Sequence, residues 1–168
     1  TTSANAQNGY RGGMARYLVL LRGVNVGGKN RVPMAQLREA LEGLGFTDVS
    51  TYIASGNALV SSPLGAAAVR EAVERLLPER FALDTGLVRV KVLTRAQLRA
   101  VMEQRPEGFG DEPDRYHSDA IFLMDITTAT AMRVFDPRDG VDRVWPGRGV
   151  IYSQRLSAER TRSRLGKI

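Results

Sequence analysis

Short apolar runs alternate with amphipathic stretches along this chain, and their rhythm predicts its elements. Arg16 to Arg22 is a mostly apolar run rich in Tyr, Leu and Val, the mark of a buried strand. A glycine-rich segment follows it. Pro33 then suits the first turn of a helix in which Met34, Leu37, Ala40, Leu41 and Leu44 share one face, and Gly45 ends that helix. Val49 to Ala54 and Ala58 to Ser62 are β-prone runs separated by Ser55-Gly56-Asn57, a hairpin signal. A helix from Ala66 to Arg80 places Val69, Val73, Leu76 and Leu77 on its buried stripe. Leu87 to Leu93 closes the unit as a strand, with Val88, Val90 and Val92 alternating against Arg89 and Lys91.

The order βαββαβ is that of the ferredoxin-like split βαβ arrangement, an antiparallel sheet with its helices on one face. The rest of the chain begins the same order again. A helix at Thr94 to Gln104 and a loop of Pro, Gly and acids precede a strand at Asp119 to Met124 and a short helix at Thr127 to Phe135. Val141 to Trp145 and Val150 to Ser153 form a hairpin across Pro146-Gly147-Arg148-Gly149, and Ser157 caps a helix reaching Leu165. This second copy lacks its last strand, which implies either truncation after Ile168 or an edge open to a partner. The expected fold class is therefore α+β, with duplicated ferredoxin-like subdomains. The expected boundaries are a leader or tag over residues 1–13, a first subdomain over 14–93, and a linker helix with a C-terminally truncated second subdomain over 94–168. Thr1 to Gly13 has no hydrophobic periodicity, and Met14 follows it as the expected natural start.

Composition narrows the chemistry. A chain of 168 residues that is 43% hydrophobic and 25% charged buries a core without staples. The absence of cysteine excludes disulfides, thiolate nucleophiles and cysteine-bound zinc, and His117 as sole histidine excludes a multi-histidine metal site. Neither a metal nor a cofactor is expected. The longest apolar runs, such as Ala120 to Met124, are too short to span a bilayer and no signal-peptide layout is present, so a cytoplasmic location and no membrane partner are expected. A net charge of +6 and a pI of 10.2 favour anionic partners but suit first of all a plain surface in an arginine-rich proteome. Part of that charge clusters at Arg155, Arg160, Arg162, Arg164 and Lys167, which a terminal helix would present as a cationic face.

The candidate site is the loop between the first strand and helix. Arg22, Gly23, Asn25, Gly27, Gly28, Lys29, Asn30 and Arg31 combine glycines that permit unusual backbone conformations with cations suited to an anion. Ser55, Gly56 and Asn57 add small polar groups if the two loops meet. The end of the first strand is expected to face the end of the third, near Ser62, which leaves that meeting open. The loop nearly matches the nucleotide phosphate-binding pattern, and even Ala120 to Asp125 imitates its magnesium strand. Asn30, however, has no hydroxyl for Mg²⁺, and Pro33 disrupts the helix that should begin at the Gly-Lys pair. What remains is binding of phosphate, carboxylate or a nucleic-acid backbone through N–H groups and cations. The alternative is that the glycines only turn the chain while Asn25 and Asn30 satisfy its backbone.

Other chemistry is thinner. Aromatic residues form only 7% of the chain, Tyr17 and Phe122 stand in apolar company, and Tyr52, Trp145 and Tyr152 are the better candidates for an exposed stacking face. Ser55 and Ser118 lack a nucleophile-elbow turn. His117, beside Asp111, Glu112 and Asp114, reads as a surface histidine at the start of a strand before it reads as a catalytic base.

Leu20-Leu21-Arg22-Gly23-Val24-Asn25-Val26-Gly27-Gly28-Lys29-Asn30-Arg31-Val32-Pro33-Met34, with Leu37, Leu41, Gly45-Phe46, Tyr52-Ile53 and Ser55-Gly56-Asn57, resembles the bacterial family of unknown function DUF1697 over nearly everything from Met14 onward. The resemblance implies two ferredoxin-like halves and supplies no activity. Ala54 stands where members often carry Gln or Asn, and the chain stops near Arg162 to Lys167, where members usually continue into an Asn-Trp segment and a final helix. The expected function is a binding module for an anionic small molecule or nucleic acid. Its alternatives are an enzyme on a phosphorylated or carboxylated small molecule in the cleft between halves, or a module that self-associates through sheet edges.

Overall fold

The computed structural model describes residues 13–86 and 88–165. Most of the expected leader lies outside the described residues, as do Leu87 and Lys167. The chain divides into two compact units, Thr1–Ala96 and Gln97–Ile168.

In the first unit, β1 (Ala15–Arg22), α1 (Met34–Gly43), β2 (Thr47–Tyr52), β3 (Asn57–Ser62), α2 (Ala66–Arg80) and β4 (Arg89–Thr94) follow one another, and the sheet order is β2-β3-β1-β4. All neighbours are antiparallel, which is the split βαβ order. The alternation of β1 decides which side the helices cover. Tyr17, Val19 and Leu21 are buried and pair with Val60, Ala58 and Val90 of the flanking strands. Leu37, Ala40 and Leu41 of α1 and Val69, Val73 and Leu77 of α2 close over that face. Tyr17 belongs to this core, and its hydroxyl donates to the Leu64 carbonyl at 2.8 Å. Pro33 occupies the N-cap with extended backbone rather than the first turn, and Leu44 lies at the exposed C-cap, off the buried stripe.

One expectation about the sheet is reversed. Ala15 pairs with Ser62 and Leu20 with Asn57, so the end of β1 lies against the start of β3. Antiparallel pairing requires this, because it sets the exit of one strand beside the entry of the next. The glycine loop and the β2–β3 turn therefore leave the sheet at the same edge.

After β4, α3 (Arg95–Glu103) begins at the end of the first unit and runs into the second, which holds β5 (Tyr116–Phe122), α4 (Thr128–Met132), β6 (Asp142–Pro146) and β7 (Val150–Leu156). The antiparallel order is β5-β7-β6, the spatial order that β1, β3 and β2 have in the first sheet. Thr127 caps α4, its hydroxyl accepting from the Thr130 N–H at 3.2 Å, and the helix ends before the expected Phe135. Tyr152 is only 2% exposed, which corrects its reading as an exposed aromatic. Its hydroxyl donates to the Val101 carbonyl at 2.6 Å and its ring meets Phe109 edge-on at 5.0 Å, with Trp145 at 6.3 Å from the same Phe109.

The expected terminal helix is a single 3-10 turn, Ser157–Glu159, preceded by Leu156 without a side-chain cap. A carboxylate accounts for the path that follows. Asp142 Oδ2 accepts from the backbone N–H of Arg138 at 3.0 Å and of Arg164 at 2.9 Å, which folds the chain back instead of letting it continue helically. Burial pushes the Asp142 carboxyl up, but the Arg164 N–H, the Ser163 hydroxyl, the Arg138 N–H and the Arg138 charge together hold it below its ordinary value. A depressed carboxylate stabilises the fold above its unfolded value of about 3.9, and that contribution disappears as pH falls through the folded value. Asp142→Asn is therefore expected to lose roughly 1–2 kcal/mol at pH 7 in urea denaturation. Its difference from the parent should shrink as pH falls below about 3.9 and close only once pH is below the folded value. A difference independent of pH would contradict this role.

Candidate functional site

Arg22 ends β1, exposed, and the chain turns outward into the glycine segment. The Lys29 N–H donates to the Val26 carbonyl at 3.0 Å and the Asn25 N–H to the Asn30 carbonyl at 3.0 Å. Gly27 and Gly28 both have positive φ, +59° and +77°, the signature of a type I′ turn whose twist matches a hairpin. The segment is thus a miniature β-hairpin with an exposed tip. Because α1 begins only at Met34, no helix N-terminus backs the glycines, as the rejected nucleotide pattern would need.

Two asparagines stitch the base of this hairpin to the unit. Both take positive φ, 54° at Asn25 and 49° at Asn30, a region Asn tolerates better than most residues. Asn25 Nδ2 donates to the carbonyls of Val32 at 2.9 Å and Ala54 at 2.8 Å, while Oδ1 accepts from the Val32 N–H at 2.8 Å. Asn30 is 4% exposed. Its Nδ2 donates to the Gly23 carbonyl at 2.8 Å and the Thr85 hydroxyl at 2.9 Å, its Oδ1 accepts from the Thr85 N–H at 3.0 Å, and its own N–H donates to Asp84 Oδ2 at 2.6 Å.

The two loops meet. The Leu21 N–H donates to the Gly56 carbonyl at 3.0 Å, and Asn25 reaches Ala54 from the other side. Gly56 is buried at φ +87°, and a Cβ there would stand 2.7 Å from Val24 Cγ2 and 2.8 Å from Leu21 Cβ. Ser55 and Asn57 are occupied with each other, Asn57 Nδ2 donating to the Ser55 hydroxyl at 3.1 Å.

Of the expected ligand groups, the backbone N–H groups of Asn25, Lys29 and Asn30 are already engaged by protein acceptors. The side chains of Arg22, Lys29 and Arg31 are exposed and form no ion pair among the described residues. Arg22 stands directly opposite Arg89 of β4, whose guanidinium folds onto the Gly86 and Val88 carbonyls at 3.1 and 3.3 Å. Like charges directly opposite on a sheet repel.

The register adds a row that the sequence did not reveal. Tyr52 pairs with Asn57, Asn57 with Leu20 and Leu20 with Lys91, so these residues cross all four strands on one face. It is the face away from α1 and α2, and Arg22 and Arg89 lie on it in the next row. Tyr52 is 72% exposed, and Ile53 beside it is 59% exposed at φ +50°. Arg89 and Lys91 read in sequence only as the polar half of an alternation. Asp84 and Thr85 carry no local signal, since their bonds to Asn30 span 54 and 55 residues.

The remaining candidates are used up locally. His117 Nε2 lies 3.2 Å from Asp119 on an exposed strand, and the Ser118 hydroxyl accepts from Gln154 at 3.1 Å. In the basic C-terminal stretch, Arg155 faces Asp119, Arg162 faces Glu159 and Arg164 faces Asp136, the last at 2.6 Å, so much of its charge is neutralised. Among the described residues, no three His, Cys, Asp or Glu side chains are grouped to hold a metal ion, and no helix is long and apolar enough to cross a membrane.

Fold and site together define a mixed α/β protein with two antiparallel sheets and a pinned basic hairpin on the first. The chain belongs to the family described as a protein of unknown function, DUF1697, whose model matches residues 14–152. The resemblance carried by the hairpin and the Ser55-Gly56-Asn57 turn is thereby borne out. In structure the chain is similar to the conserved bacterial protein SP0830 from Streptococcus pneumoniae, with a TM-score of 0.68 and 24% identity over 90% of this chain and 83% of that one. That likeness speaks for the fold alone. Among curated proteins no match was found.

Proposed function

We propose that this protein is a binding module for an anionic ligand, held at the basic hairpin of its first unit. The observation that carries this reading is the contrast within the loop. Its interior is fixed by Asn25 and Asn30, while Arg22, Lys29 and Arg31 at its surface have no ion-pair partner among the described residues. A frame ordered before binding does not lose backbone entropy when an anion arrives. The hold is through side-chain charges, because the loop's N–H groups at Asn25, Lys29 and Asn30 are engaged and Asp84 occupies the inner side at Asn30. Phosphate or another compact polyanion, met by several cations at once, fits that arrangement.

Titration calorimetry with tripolyphosphate at low salt tests the reading. Lys29→Ala and Arg31→Ala are each expected to weaken binding about fivefold, the loss of roughly 1 kcal/mol for an exposed charge-assisted contact. Added salt should weaken the parent as well. Absence of binding, or binding that neither variant changes, would overturn it.

A further inference from the structure

We infer that the ligand is single-stranded nucleic acid, with a base stacked on Tyr52 and its backbone drawn along the Arg22–Arg89 row and the basic hairpin. This deepens the anion reading and rests on it. Three observations separate such a ligand from a simple polyanion. The first is Tyr52, a large aromatic ring left 72% exposed on a strand. Its row continues through Asn57 and Leu20 to Lys91, about 14 Å across four strands, so a polar amide, an apolar surface and a cation follow the ring in turn. A planar base stacks on the ring whatever its identity, and phosphates beyond it meet cations.

The second is Ile53. A β-branched residue at φ +50° is strained, and here the side chain is also 59% exposed, so burial in its own fold does not offset the strain. The third is Val26 at the hairpin tip, 66% exposed, on a hairpin whose Asn25 is bonded to Ala54, the residue after Ile53. Apolar surface beside the exposed cations Arg22, Lys29 and Arg31 suits a ligand with apolar rings and phosphates in alternation. A compact inorganic anion makes no use of it.

Fluorescence anisotropy with a labelled 12-nucleotide oligothymidylate, beside an abasic 12-mer with the same phosphates, separates stacking from charge. The oligothymidylate is expected to bind about tenfold tighter than the abasic strand. Tyr52→Ala should abolish that difference, and Tyr52→Phe should keep it. Equal binding of the two strands, unmoved by Tyr52→Ala, would overturn the inference and leave the anion reading standing. So would binding of tripolyphosphate with neither strand bound. Failure of all three ligands to bind would remove both.

Discussion

Asn30→Ala is expected to destabilise the first unit by about 3 kcal/mol, although residue 30 lies in a loop of small and polar residues. The substitution removes three side-chain hydrogen bonds from a site that is 4% exposed. The Gly23 carbonyl and the Thr85 N–H lose their partner, and a buried group left unpaired costs more than a hydrogen bond contributes on average. Alanine also tolerates φ 49° less well than asparagine. The measurement is a urea denaturation curve, read as a lower midpoint at unchanged slope. Because the amide bonds hold the hairpin to residues 84–85, the same variant should bind tripolyphosphate more weakly with every cation still present. A stability loss below about 1 kcal/mol would mean that the Asn30 bonds are formed with little net gain over water.

Gly56→Ala is expected to cost as much or more, about 3–4 kcal/mol, from two causes that add. A methyl group at residue 56 meets Val24 Cγ2 at 2.7 Å and Leu21 Cβ at 2.8 Å, and Leu21 Cβ is too close to its own backbone to swing aside. The φ of +87° adds the strain of a left-handed conformation for any residue with a Cβ. Movement there would pull the β2–β3 turn from the end of β1 and break the Leu21 N–H to Gly56 carbonyl bond. Circular dichroism during thermal melting reads the loss. Glycines at the hairpin tip give the contrast, because a Cβ at Gly27 or Gly28 meets nothing within 4 Å. Their substitutions carry conformational strain alone and should melt nearer the parent.

The first unit was legible in sequence because its signals are local. β1 is a continuous apolar run, α1 and α2 show helical spacing, and Gly56 marks a hairpin, so the βαββαβ order followed from neighbours in the chain. The loop stands out in sequence by its glycines and cations, and the alternative role of Asn25 and Asn30 in satisfying its backbone is the one their bonds show. Its internal form was missed, since a type I′ hairpin and a strand-to-helix turn draw on the same residues. What the sequence misplaced was non-local. The meeting of the two loops depends on register, and the latch of Asn30 on Asp84 and Thr85 joins residues far apart in the chain. The terminal segment failed for a related reason. Its arginines and Ser157 resemble a capped helix, but Asp142 captures the Arg164 N–H from 22 residues away and fixes another path. Tyr152 was misread because its exposure depends on Phe109 and Val101, which no periodicity brings to it.

The central claim is that the pinned hairpin and the Arg22–Arg89 row receive an anion. Amide NMR of the full chain, titrated with tripolyphosphate at two salt concentrations, maps it most directly. The account expects saturable shifts at residues 22–31 and at Arg89, weakened at the higher salt. Silence there, or shifts gathered at residues 155–165, would contradict it.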